Sequence, residues 1–343
     1  MLRCIELGKN GLGSTYPNPM VGSVIVTNNT IIGEGFTSAY GGNHAEVNAI
    51  NSVRDKSLFE SATIYVSLEP CSHYGKTPPC ADLIIKNKIK KVVIGCLDPH
   101  EKVAGKGIQK LRDAGCEVEV KILEKECREH HRRFLTFHEK KRPYIILKWA
   151  ETLDSFIAPD KNLRNKNSEP FWITNKKSRQ LVHQWRAEEH AILVGTNTVT
   201  EDNPKLNVRD WEGNSPIRIV IDKDLKIAKD FNVLDGSVKT LVLNSNLETS
   251  SSNEMIEYLK INFANNLTQE ICTALYRKNI VSLIVEGGAK TLQTFIDANI
   301  WDEARIFKGS NNFEKGLKAP TLNGNKHSEQ KIVHDTLTTY RND

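Results

Sequence analysis

The sequence predicts an α/β protein built as two domains, and three observations carry this. Strand-like and helix-like segments alternate through residues 1–120, the pattern of a layered α/β domain. A charged, periodic stretch over residues 123–141 then leads to Pro143, and a second α/β pattern opens at Tyr144. At 343 residues the chain exceeds what one core ordinarily supports. The boundary is expected near residues 141–143, giving domains 1–142 and 143–343.

Taken in order, residues 1–11 read as a helix, and residues 21–27 and 31–35 as two strands joined by an Asn28-Asn29 turn. A helix is expected at 46–53, a strand at 63–68 and a helix at 81–87. The apolar run 91–97 reads as a buried strand, 108–114 as a helix closed by Gly115, and 116–120 as a strand. Residues 123–141 read as one connecting helix. The second half is expected to have strands at 144–149, 191–195, 217–221, 239–243 and 281–286, with helices at 176–186 and 289–298.

Hydrophobic residues make up 39% and charged residues 26%, the balance of a soluble globular protein. The longest apolar runs, such as residues 144–147 and 191–194, fall far short of the ~18 residues a membrane span needs. The first residues, MLRCIELGKNGLG, lack an apolar core of signal-peptide length, so a cytoplasmic protein with no membrane partner is expected. Seven scattered cysteines do not make a disulfide framework. Cys4, Cys96, Cys116, Cys127 and Cys272 read as small buried residues. Residues 1–143 hold 21 Lys+Arg against 16 Asp+Glu, and the remainder is balanced at 26 each. That modest excess suits an anionic small substrate and does not by itself point to nucleic acid.

The strongest chemical signal is His44-Ala45-Glu46, followed by Pro70-Cys71 and then Cys80. Zinc takes about four ligands in a tetrahedron, and a catalytic site leaves one of them to water. One imidazole and two thiolates supply three protein ligands, and the metal charge makes the water acidic. Glu46, two residues after His44 at an expected helix start, is placed to shuttle a proton from that water to a departing amine. This is the arrangement of zinc deaminases, except that eight residues separate the cysteines where two are usual. A chance H-x-E beside unrelated cysteines would not put each piece at a strand-to-helix junction. A structural zinc would want a fourth protein ligand, for which His73 is available, and would have no use for Glu46.

Three segments carry a family resemblance: residues 17–22 (PNPMVG), His44-Ala45-Glu46, and residues 68–80 (LEPCSHYGKTPPC). They resemble the bifunctional riboflavin biosynthesis proteins, in which a pyrimidine deaminase is fused to a pyrimidine reductase. The long spacer between the cysteines is that family's hallmark. Asp98-Pro99 and residues 103–107 (VAGKG) also match, and the resemblance covers nearly the whole chain. It implies a cytidine-deaminase-like three-layer domain followed by a dihydrofolate-reductase-like domain, with one Zn2+ per chain and NADPH as cofactors. It further implies hydrolytic removal of the 2-amino group from a 2,5-diamino-6-ribosylamino-pyrimidinone 5′-phosphate, then reduction of the ribosyl side chain to ribityl. Asn18, His73 and Lys76 would meet the deaminase substrate. Many members carry histidine near Thr37, so the chain departs from the pattern there.

The second half has no G-x-G-x-x-G. It does have Val285-Glu286-Gly287-Gly288-Ala289, where an expected strand gives way to a helix. Glycines there let backbone N–H groups approach an anion, although a plain tight turn would look the same. The reductase resemblance rests on residues 147–150, 172–174, 186–188, 194–199 and 202–204, with Arg209 and Glu286-Gly287-Gly288. It implies that Arg186 and Arg209, assisted by Lys205, clamp the substrate phosphate, since guanidinium forks match phosphate oxygens. Ser168 and Glu286 would touch the sugar hydroxyls. Ala150, Trp172, Thr198, Asp202, Ser245, Gly288, Ala289, Lys290 and Thr291 would line the cofactor. After Leu153-Asp154 the family usually has glycine where this chain has Ser155; if that turn needs φ > 0, serine costs about 1 kcal/mol. The loop Asn244-Ser245-Asn246 holds no arginine for a 2′-phosphate.

Two other classes compete. A nucleic-acid-editing zinc deaminase with an appended binding domain would want a two-residue cysteine spacer and a basic, aromatic-studded second half. The even charge balance of residues 144–343 argues against it. A non-catalytic zinc-stabilised protein would bind metal and turn over no aminopyrimidine. The expected partner is a small pyrimidine ribotide rather than nucleic acid, and the resemblance allows a homo-oligomer, a dimer or tetramer.

Overall fold

The structure, a computed structural model, describes residues 1–72, 74, 78–100, 103–160, 171–250 and 253–342. The chain divides into two units, Met1–Lys141 and Arg142–Asp343. Arg142 goes with the second because its guanidinium grips Asp302 through two hydrogen bonds, 2.5 and 2.8 Å long. The same carboxylate accepts the Ile145 amide at 2.8 Å.

The first unit holds strands β1 (Gly22–Thr27), β2 (Thr30–Phe36), β3 (Thr63–Leu68), β4 (Lys91–Cys96) and β5 (Glu117–Glu119), in the order β2-β1-β3-β4-β5. β1 runs antiparallel to β2 and β3, while β3, β4 and β5 are parallel. The β1–β2 turn has φ of +48° at Asn28 and +58° at Asn29, the left-handed pair that asparagine tolerates in a tight hairpin. Among the described residues six α-helices pack around the sheet: α1 (Leu2–Gly8), α2 (Ala45–Ser52), α3 (Cys80–Lys86), α4 (Lys106–Asp113), α5 (Glu124–His130) and α6 (Arg132–Lys140).

Two glycines show how close the layers come. A Cβ on Gly22 would lie 1.8 Å from the Cys4 carbonyl in α1, and one on Gly35 would lie 2.4 Å from the Ala49 amide in α2. Gly35 pairs with Ser23, the neighbour of Gly22, so the two glycines face opposite sides of the sheet. Helices therefore cover both faces, giving the three-layer arrangement. The expected single helix over 123–141 is instead α5 and α6, separated by a turn at His131. The turn lets both adjoining imidazoles reach inward: His130 Nε2 sits 2.7 Å from the Met20 carbonyl and His131 Nε2 3.1 Å from Ser67 Oγ.

The second unit is built on β6 (Tyr144–Glu151), β8 (Ala191–Gly195), β9 (Ile217–Ile221), β10 (Thr240–Asn244), β12 (Ile256–Lys260), β13 (Ser282–Val285) and β14 (Glu303–Lys308). These are parallel in the order β12-β10-β9-β8-β13-β6-β14. β11 (Thr249–Ser250) adds to one edge, and β17 (Asp335–Arg341) with β16 (Asn325–Ile332) to the other, all antiparallel. β7 (Phe156–Pro159) and β15 (Gly316–Lys318) form a separate ribbon. The helices are α7 (Lys176–Glu188), α8 (Thr196–Asp202), α9 (Leu267–Arg277) and α10 (Ala289–Asp297). Central strands such as β8 and β13 are buried on both faces, which is why they read as unbroken apolar runs.

Ser155 does adopt the left-handed conformation, with φ +62°, closing the turn between β6 and β7. Without a Cβ the same turn is unstrained. Ser155→Gly should therefore stabilise the second unit by about 1 kcal/mol, raising its midpoint by roughly 2–4 °C. A thermal melt in which the glycine variant unfolds at or below the wild-type temperature contradicts this.

Candidate active sites in the two units

In the first unit the chain converges on one point from two helix starts and one strand end. His44 is the N-cap of α2, Glu46 lies in its first turn, and Cys80 is the first residue of α3. Cys71 follows the end of β3, and its carbonyl accepts the Ala81 amide at 3.1 Å. His44 Nδ1 is 3.3 Å from Cys80 Sγ and 3.7 Å from Cys71 Sγ, and the three ligand atoms lie within 4.8 Å of one another. Ligands about 2.1–2.3 Å from a tetrahedral zinc sit roughly 3.5 Å apart, so this donor set fits that ion. The Cys80 amide donates to Cys71 Sγ at 3.3 Å, an N–H aimed at a sulfur that must carry negative charge.

The two thiols share one charge between them, with Cys80 raised, first by its hydrogen bond to Cys71 and then by burial. The Cys71 thiol is held down to about 4, first by the hydrogen bond from Cys80 and then by His44 against the opposing effect of burial. Glu46 is 4% exposed, and its carboxyl is pushed up to about 7, first by burial and then by the Cys71 charge. A carboxyl poised there exchanges protons readily in either direction at neutral pH.

Glu69 is the residue the sequence reading missed here. It is buried next to Pro70-Cys71, and its carboxylate accepts the amides of Gly105 and Gly107 at 3.1 Å and of Asp98 and Ile108 at 3.4 Å. It thereby ties the β4–α4 loop to the ligand-bearing end of β3. A Cβ on Gly107 would fall 2.1 Å from the Pro70 carbonyl, so only glycine permits this approach. The signal was the glutamate before Pro-Cys, an acidic residue in an otherwise apolar strand end. Thr37 is buried rather than offered to a ligand: its Oγ accepts the Val21 amide at 3.0 Å. Asn18 sits half-buried before β1, its amide bonded to the Thr15 carbonyl at 2.9 Å. His73 and Lys76 lie outside the described residues.

In the second unit Ala150, Thr198, Glu286 and residues 288–291 lie at or just beyond the C-terminal ends of β6, β8 and β13, where parallel α/β sheets bind ligands. A Cβ on Gly287 or Gly288 would lie 3.1 or 3.3 Å from Thr198 Oγ1, and one on Gly195 would lie 2.7 Å from Thr291 Oγ1. Thr198, Gly288 and Thr291 thus form one cluster at the starts of α8 and α10, next to Ala289 and Lys290 in the first turn of α10. Ala150 is at the end of β6. Trp172 is exposed, with the Arg179 guanidinium 4.4 Å from its ring centre. Asp202 ends α8. Ser245, beyond the end of β10 and two strands from β8, donates its hydroxyl to the Lys223 carbonyl at 2.9 Å. Ser168 lies outside the described residues.

Arg186 and Glu286, expected to meet substrate separately, are paired: Nε and Nη2 of Arg186 donate to the two carboxylate oxygens at 3.1 and 2.7 Å. Lys148 Nζ stands 3.7 Å from the same carboxylate, a residue to which the sequence reading gave no role. Burial opposes ionisation of Glu286, but the Arg186 and Lys148 charges outweigh it and hold the carboxyl at about 2. Lys148 is lowered, first by burial. Arg209 and Lys205 are exposed, and the Arg209 guanidinium donates to Asn207 Oδ1 at 2.7 Å.

Comparison with known proteins fits this geometry. A family model described as the cytidine and deoxycytidylate deaminase zinc-binding region matches residues 1–96, and one described as the RibD C-terminal domain matches residues 143–311. The riboflavin biosynthesis protein RibD of Aquifex aeolicus is 39% identical over 330 residues, covering 94% of this chain and 89% of that protein. The chain belongs to the RibD family. The Bacillus amyloliquefaciens RibD is 38% identical, with 90% of this chain and 82% of that protein covered. The crystal structure of a Thermotoga maritima diaminohydroxyphosphoribosylaminopyrimidine deaminase/5-amino-6-(5-phosphoribosylamino)uracil reductase superposes with a TM-score of 0.88. It is 38% identical, with 99% of this chain and 97% of that one covered. The chain is accordingly a bifunctional deaminase and reductase of riboflavin biosynthesis that acts on a small molecule, with a cytidine-deaminase-like first half and a dihydrofolate-reductase-like second half. Zinc and NADPH are its cofactors. Among the described residues no helix is long and apolar enough to cross a membrane.

Proposed function

We propose that residues 1–142 deaminate 2,5-diamino-6-ribosylamino-4(3H)-pyrimidinone 5′-phosphate and that residues 143–343 then reduce its ribosyl side chain to ribityl. The convergence of His44, Cys71 and Cys80 beside a buried Glu46 carries the first half of this reading. Zinc, when bound by those three ligands, supplies the acidity that makes a water nucleophilic near neutral pH. Glu46 takes the proton of the attacking water and returns one to the departing amine. Asn18, His73 and Lys76 hold the ring, sugar or phosphate.

In the second half the glycine and threonine cluster at the starts of α8 and α10 admits the cofactor, with Ala150, Trp172, Asp202 and Ser245 along its length. Glu286 orients the sugar with Ser168, and Lys148 shares its carboxylate. Arg186, Arg209 and Lys205 take the phosphate. Reduction calls mainly for positioning the nicotinamide against the sugar carbon. The chain works in the cytoplasm, and the family resemblance allows a homo-oligomer, a dimer or tetramer; a monomer mass by light scattering removes the oligomer.

The two phosphate sites are separate, and this is testable. Arg209→Ala should weaken the reductase's substrate by about 10- to 100-fold, the loss of one charged hydrogen bond of roughly 1.5–3 kcal/mol. Deamination by the same variant should be unchanged. Equal damage to both activities contradicts the assignment.

A further inference from the structure

His183 and Arg186 lie three residues apart on α7 and so share one face of the helix. His183 is 4% exposed. Its Nδ1 accepts the backbone amide of Arg209 at 3.2 Å, and its Nε2 lies 3.6 Å from Asp210 Oδ2. Because Nδ1 accepts, the ring proton is on Nε2 and points toward Asp210. Burial, then the charges of Arg186 and Arg209, hold the imidazole at about 4, so it stays a neutral acceptor at physiological pH. The segment it fixes is shared by both arginines: Arg209 donates to Asn207 Oδ1 at 2.7 Å, and Arg186 Nη1 is 3.5 Å from the Asn207 carbonyl. Burial, and then the Arg186 charge, lower the Arg209 guanidinium, and Arg186 itself is held by the Glu286 carboxylate.

We propose that His183 is a positioning residue of the reductase's anion subsite, its Nδ1 anchoring the Arg209 backbone so that Arg209 and Arg186 face one phosphate. This rests on the reading of those arginines as the phosphate clamp. His183 does not touch substrate. It acts through the Arg209 main chain, which it ties to α7 beside the second tether from Arg186 Nη1 to the Asn207 carbonyl.

The test is steady-state reduction by the full-length protein, using the deaminated 5′-phosphorylated substrate and its dephosphorylated nucleoside. His183→Leu keeps the bulk and removes the acceptor. It should raise KM for the phosphorylated substrate about tenfold, the scale of one lost hydrogen bond, with kcat and the KM for NADPH within about twofold. His183→Asn, whose Oδ1 takes the place of Nδ1, should recover most of that loss. The nucleoside should respond to neither variant. If His183→Leu does not fold, His183→Gln, with its acceptor displaced toward Nε2, should show the same rise. An unchanged KM for the phosphorylated substrate, or equal losses with phosphorylated substrate and nucleoside, overturns the proposal. Should Arg209→Ala itself fail to distinguish the two substrates, the clamp reading fails first and takes this inference with it.

Discussion

Glu46→Gln should abolish deamination while leaving zinc content and reduction intact. The amide is nearly isosteric with the carboxyl and stays at the second position of α2, so the fold should survive. It cannot take a proton from the attacking water, and it cannot hand one to the leaving amine. Deamination needs both transfers, so the loss should exceed the ~10²–10⁴ of a single general acid–base contribution. Burial, and then the Cys71 charge, push the carboxyl up from its ordinary range. If Glu46 only favoured the α2 N-terminus through its charge, the substitution would cost about 0.3–1 kcal/mol of stability and leave turnover nearly normal. Ammonia release at the wild-type rate from a zinc-replete variant would remove the assignment.

Cys80→Ser should strip the first unit of its metal. A serine hydroxyl stays protonated where the thiol ionises, and the two remaining donors, His44 Nδ1 and Cys71 Sγ, would face each other 3.7 Å apart with no third ligand. Zinc per chain should fall far below one, and deamination by more than the roughly 10- to 100-fold typical of outer-shell changes. Reduction of pre-deaminated substrate should continue, since Cys80 belongs to the first unit. Elemental analysis showing full zinc in this variant contradicts the ligand set.

The legible parts of the molecule were those encoded locally. His44, Glu46, Cys71 and Cys80 were readable because each stands at a strand end or helix start whose signals lie within a few residues. The β1–β2 hairpin was readable from its asparagine pair, and the central parallel strands from unbroken apolar runs. What escaped depends on distant partners. Glu69 meets Gly107, 38 positions on, and Arg186 meets Glu286, 100 positions on. No spacing rule announces either. His131 reaches Ser67, 64 positions earlier, and the turn between α5 and α6 sits where the periodic charge pattern suggested continuous helix. β16 is exposed along its length and charged, so it shows no apolar alternation from which to infer a strand.

One chain should carry out both chemistries in order, deamination before reduction. Mass spectrometry of the diaminopyrimidine ribotide incubated with the protein, with and without NADPH, tests it most directly. The expected product is about one mass unit heavier without NADPH, from exchange of an amine for oxygen, with a further gain of about two units when NADPH is present. An unchanged ribotide in both incubations, or a two-unit gain that appears without prior deamination, would contradict it.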